Sequence, residues 1–292
     1  MSEFSPSDAA LEGFRLVRER PGTILAWGGL YFVGIVGIGA FMLAAIGQDF
    51  VKYVQRGGME SGDPKALAAI LQHTWPAFLV VVLLVIFLGS IINAGVYRLV
   101  LRPQEPGFVH LRIGADELRL TLVNVALFSL GMVFLTLLAV VAAVLTAGQG
   151  VLSALLAMLV AAVMVWIGVR LLLATPMTFG ERRVVVRESW QLTHGRFWSL
   201  LGMTLLAVTF YVMVWLLFSI ISAAFVALAG GPEAIANPAQ LRGFAVVAFL
   251  VTMLIQLLLP VLQIIMIYAP LAMAYRQLRH VDEAPPQALP QT

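Results

Sequence analysis

At 292 residues, 61% apolar and 11% charged, with a mean hydropathy of +0.97, the chain cannot be an ordinary soluble globule, in which about 25% of residues are charged. There is no cysteine, which excludes disulfide frameworks, thiolate metal sites and cysteine nucleophiles. The 18 Lys and Arg residues, net charge +3, stand at the ends of apolar segments rather than in one surface run, which argues against nucleic acid as a partner.

The first predicted element is an amphipathic helix over about 6–20. Ser5 with Asp8 resembles a capping box, Pro6 suits the first turn, and Ala10, Phe14 and Val17 share a face opposite Glu12, Arg15 and Glu19. An apolar run over about 22–46 follows, too long for the 7–15-residue core of a signal peptide, so it reads as a retained first span. Its glycines, in GGLYFVGIVGIGA, fit close helix packing better than a phosphate loop. Residues 48–75 form an outer loop in which Asp63 and Pro64 start a short helix leading into a second span, about 76–100. Phe108, Leu111, Ala115 and Leu118, with Arg112, Asp116 and Arg119 on the other side, predict a second amphipathic helix over about 107–118.

Spans three and four, about 120–146 and 151–174, form a hairpin with a tight turn at 147–150. A third amphipathic helix is expected over about 181–197. Leu192, Val185, Ser189, Thr193, Val186, Phe197 and Trp190 make one arc of it; Arg183, Arg187, Gln191, His194, Glu188 and Glu181 cover most of the other side. Spans five and six run over about 199–229 and 243–275, with Pro260 expected to kink the sixth. The Pro-rich tail, 281–292, is expected to be disordered, leaving 1–280 as a single integral membrane domain.

Continuous apolar runs of this length satisfy their backbone inside a bilayer only as α-helices. The expected fold is therefore an all-α polytopic membrane protein: six transmembrane helices in three hairpins, each preceded by an interfacial amphipathic helix. With both termini on one side, fourteen of the 18 basic residues fall there; Lys52, Arg56, Lys65 and Arg242 fall opposite. That bias places both termini in the cytoplasm, and the Arg-over-Lys, Ala-, Gly- and Val-rich usage suggests a GC-rich bacterial genome.

The strings RLLLATP and SWQLTHGRFWSLLG, within Arg170 to Gly202, resemble a signature of bacterial six-span inner-membrane proteins related to the membrane domain of glycerophosphoryl diester phosphodiesterases. The chain carries no phosphodiesterase domain, so the resemblance implies fold and location without an activity.

Candidate site residues fall into two sets. Arg170, Arg182, Arg183, Arg187 and Arg196 are candidate contacts for anionic lipid, since basic residues beside spans attract such headgroups. Two readings of Arg170 stand, an anion ligand between helices or a cation snorkelling to the headgroups. Arg98 leans toward snorkelling, and the adjacent Asp116 and Glu117 suit a solvated helix face. Asn93, Asn124, Gln256 and Gln263 form a candidate polar cluster within the spans. The histidines are isolated, so neither a metal nor any other cofactor is expected. The function read from these residues is non-enzymatic: engagement of membrane lipids, or of a membrane-protein partner or second copy, through the basic interfacial helices. The alternative is a transporter or channel for a small or lipid-like solute.

Overall fold

A computed structural model describes residues 5–55, 64–104, 108–146, 150–236 and 241–283. Within them the chain is helical and contains no strand. The helices are α1 (Pro6–Glu19), α2 (Pro21–Gln55), α3 (Pro64–Leu101), α4 (Ala115–Thr146), α5 (Gly150–Leu171), α6 (Ala174–Glu181), α7 (Arg187–Leu192), α8 (Phe197–Leu228), α9 (Glu233–Ala236) and α10 (Phe244–Glu283). Six stretches are long and apolar enough to cross a membrane: Pro21–Gly47, Thr74–Leu101, Ala115–Ala143, Ala154–Glu181, Phe197–Leu228 and Phe244–Arg279. The protein is therefore an all-α, multi-pass integral membrane protein.

α10 is the hub, packed against α1, α2, α3 and α8. The α4–α5 hairpin joins the rest through α3 and α6 on the α4 side and through α7 and α8 on the α5 side. Two buried clusters share α10. One gathers Trp27, Ile92, Tyr97, Leu120 and Phe179 around Val261, Ile265 and Ala269. The other gathers Ala9, Leu173, Val185, Leu200 and Met203 around Leu271, Ala274 and Leu278. Nearly all of these residues lie in the halves of the spans next to the arginine-rich joints. Toward the other end, side chains such as Val33, Leu43, Met158, Ile220 and Leu228 are largely exposed. Such surfaces need no burial in hydrocarbon, because lipid tails solvate Leu and Val as well as a protein core does.

The three joints before the hairpins are built differently from one another. In the first, α1 is a regular helix. Ser5 caps it by accepting from the Asp8 backbone N–H at 3.4 Å, and Pro6 opens it. Its apolar side is covered by protein, α8 and α10, and a side chain at Gly13 would meet the Met266 Cα at 2.9 Å.

The second joint departs from the helix expected over 107–118. Residues 105–107 lie outside the described residues. Phe108–His110 is a single 3₁₀ turn with Val109 and His110 at φ 54° and 58°, and regular helix begins only at Ala115. Left-handed backbone at a β-branched residue is costly. Here it aims two carbonyls inward: that of Val109 accepts from Trp27 Nε1 at 2.9 Å, and that of His110 accepts from Arg98.

The third joint, expected as one helix over 181–197, is broken. α6 stops at Arg182 (φ 54°), α7 is one and a half turns long, and Gly195 (φ 77°) precedes α8. Val185, Ser189 and Thr193, from the apolar arc, are buried against protein. The Ser189 hydroxyl donates to the Arg170 carbonyl at 2.9 Å, which α5 leaves open where it ends; the Thr193 hydroxyl lies 3.4 Å from the same carbonyl and 2.9 Å from that of Ser189.

Two boundaries also move. The short helix expected after Pro64 is continuous with the second span; Asp63 lies outside the described residues. Val281, Asp282 and Glu283, expected in the disordered tail, continue α10, because no proline between Pro270 and Pro285 removes a backbone donor. Residues 284–292, the rest of that tail, lie outside the described residues, as does most of the 147–150 turn.

Candidate functional site

α3 ends in two arginines one turn apart, Arg98 and Arg102, and α4 begins with two acids, Asp116 and Glu117. The short second joint folds these ends together. Arg98 Nη2 donates to Glu117 Oε1 at 2.6 Å, and both side chains are 2% exposed. The expectation that Arg98 snorkels and that Glu117 lies on a solvated face is thereby overturned: each charge is buried because the other compensates it. Arg102 reaches Asp116 at 3.5 Å and donates to the carbonyls of Phe179 and Gly180 at 2.7 and 3.1 Å. Its guanidinium lies 4.7 Å from the Phe179 ring centroid. Arg119 completes the network with a 2.7 Å contact to Asp116.

Around this network is an open, predominantly polar cavity of about 410 Å³, lined by Arg98, Arg112, Arg119 and Arg182 against Asp116 and Glu117. Four arginines against two carboxylates leave it positive, and the Arg98 and Asp116 charges are already engaged by their neighbours. Arg112 is exposed and faces no acid within bonding distance among the described residues. A second basic cavity of about 170 Å³ lies between the end of α3, Gly180 and the last turns of α10, where Arg102, Arg276 and Arg279 converge without a carboxylate in the wall. Beside the network, burial, followed by the nearby Arg20 and Arg98 charges, holds the His110 imidazole below its ordinary value. Its Nδ1 is buried without a hydrogen-bond partner.

The sequence-predicted residues distribute as follows. Arg170 lies at the end of α5 with its guanidinium 5.7 Å from the centroids of both Trp166 and Trp190, rings that meet edge to face at 5.0 Å. Its Nε and Nη1 are buried without hydrogen-bond partners, so aromatic faces carry the contact. Arg182 lines the polar cavity. Arg183 is held by Glu181 at 2.8 Å and Glu188 at 3.3 Å. Arg187 is exposed at the start of α7, and Arg196 is half-buried just before α8.

The four in-span amides fall into two pairs. Asn124 donates to Ser90 Oγ at 2.8 Å, one turn from Asn93, whose amide is buried with neither polar atom hydrogen-bonded. Gln256 and Gln263 are exposed on α10, Gln263 accepting from the Tyr211 hydroxyl of α8 at 3.4 Å. Among the described residues no hydrogen bond links the α3–α4 pair to the α10 pair.

Sequence reasoning did not single out Arg102, Arg112 and Arg119 as site residues. The available signal was the pattern Arg-x-x-x-Arg closing one span and Asp-Glu opening the next across a short connection. Among the described residues no group of three or more His, Asp or Glu could hold a metal ion. Compared with known proteins, the chain matches no family model, no curated protein and no solved structure.

Proposed function

We propose that this multi-pass protein is non-enzymatic and engages anionic lipid at its arginine-rich end, in a bacterial cytoplasmic membrane with both termini in the cytoplasm. The supporting observation is that the arginines at this end line open cavities, one of them with no carboxylate in its wall. Arginines needed only to set topology gain nothing from converging, since like charges repel. A phosphate offers several acceptor oxygens, pairs of which match the planar, bidentate donor fork of a guanidinium.

The in-span amides lend little support to transport, because no hydrogen bond among the described residues joins the exposed Gln256 and Gln263 to Asn93 and Asn124. Native mass spectrometry tests the lipid reading. Protein extracted from mixed vesicles of phosphatidylglycerol and phosphatidylcholine should retain phosphatidylglycerol in clear excess over its share of the mixture. Retention of the two lipids in proportion to that mixture overturns the reading.

A further inference from the structure

The polar cavity does not stand alone. An apolar cleft of about 460 Å³ lies between the start of α2, the middle of α3 and the second joint, walled by Ala26, Leu30, Ile91 and Leu111. Arg112 and Ile113 line both spaces. A single two-residue wall thus has arginines on one side and a hydrocarbon-lined cleft on the other.

This arrangement follows from the irregular second joint. The regular helix expected over 107–118 begins only at Ala115. The left-handed turn at Val109 and His110 instead leads into non-helical backbone that carries both residues between α2 and the start of α4. The cleft's walls, Ala26, Leu30 and Ile91, belong to membrane-spanning segments, so it is reached from the acyl region. The polar cavity is formed at the first turn of α4, where the span begins.

Resting on the anionic-lipid reading above, we infer that these two spaces form one site for a phospholipid. Its phosphate meets Arg112, with Arg119 and Arg182 completing the rim, and one acyl chain lies in the cleft along Ala26, Leu30 and Ile91. The shared chemistry is that of a phosphate ester, and the cleft selects the lipid over a free phosphate. Arg112 is the anchoring residue because no acid of the described chain competes for it. Arg98 contributes positive potential but stays committed to Glu117. A zwitterionic lipid fits less well: its ammonium group would be brought against the same arginines.

The test uses full-length protein in phosphatidylcholine nanodiscs doped with phosphatidylglycerol that carries a diazirine on its acyl chain. Photolabelling should concentrate on peptides of α2 and α3 around Ala26, Leu30 and Ile91, and exceed that by a diazirine phosphatidylcholine. Arg112→Gln should lower it about tenfold, as loss of a charge-assisted contact does. Ala26→Trp, which fills the cleft, should redirect labelling to other lipid-facing positions. Arg18→Gln, an exposed α1 arginine outside both spaces, should leave the pattern unchanged.

Equal labelling of the cleft by both lipids, or equal loss in Arg112→Gln and Arg18→Gln, overturns the site. So does complete suppression by millimolar inorganic phosphate or glycerol phosphate, which would mark the cavity as a seat for a soluble anion. If the native experiment shows an excess of phosphatidylglycerol while the labelling is insensitive to Arg112, the site fails and the broader reading stands. If neither shows a preference, both fail. Circular dichroism and elution volume of each variant separate misfolding from loss of binding, and Arg112→Lys, which keeps the charge, should recover part of the labelling.

Discussion

Arg98 and Glu117 join the end of one span to the start of the next, and neither can be removed without stranding the other. Breaking a buried pair from one side costs about 3–5 kcal/mol, while replacing both partners by apolar groups of similar volume is often neutral. Arg98→Gln and Glu117→Gln should therefore each lower the apparent melting temperature in detergent by several degrees, and Arg98→Met with Glu117→Leu should recover most of the loss. A Glu117→Gln protein that melts with the wild type would show that the pair does not hold the joint.

His110, next to this pair, adds a pH dependence of definite sign. Its imidazole is held below the ordinary value by burial and by Arg20 and Arg98. As pH falls through about 6.5 the unfolded chain takes up a proton that the folded chain still refuses. Stability attributable to this group is thus complete above about pH 6.5 and declines as pH falls from there to the lowered folded value. His110→Asn removes the titration while tolerating left-handed φ. The drop in melting temperature between pH 7.5 and 5.5 should be smaller in this variant; an equal drop would assign the dependence to other groups.

At the level of elements, the spans were legible because their signal is redundant: some twenty apolar residues leave one backbone solution in hydrocarbon. The first joint was legible too, since a cap, a proline and an amphipathic face all agree at Ser5, Pro6 and Ala10–Val17. The second and third joints were not. Their apolar spacing is helical, and the groups that break it come from elsewhere in the sequence. Trp27 and Arg98 draw the Val109 and His110 carbonyls inward, while Ser189 and Thr193 are bound to the end of α5. Local periodicity carries no information about a hydrogen-bond partner 82 residues away. The candidate site inherits that limit. Arg182 was found from its place in a basic segment. Arg112 looked like one more solvated residue on a helix, and only the bent joint places it against a cleft.

For the whole molecule, the arrangement is polarised. The buried clusters, the ion-pair network and both basic cavities lie at one end of the bundle, and the other end exposes apolar side chains over most of its surface. A chain synthesised in the cytoplasm retains Arg-rich ends on that side, because moving them across an energised membrane works against the potential. The tightly packed end should therefore face the cytoplasm. The absence of cysteine makes this directly testable, since any single introduced thiol is the sole site of labelling. Ser7→Cys, on the exposed side of α1, should react with a membrane-impermeant maleimide only after the cells are opened. Arg242→Cys, exposed before α10, should react in intact cells whose outer envelope admits the reagent. The reverse pattern would put the arginine cavities outside, and the lipids available to them would then be those of the outer leaflet. Labelling of both positions in intact cells would instead break the odd count of crossings between Ser7 and Arg242, so at least one of the five apolar helices between them would not span.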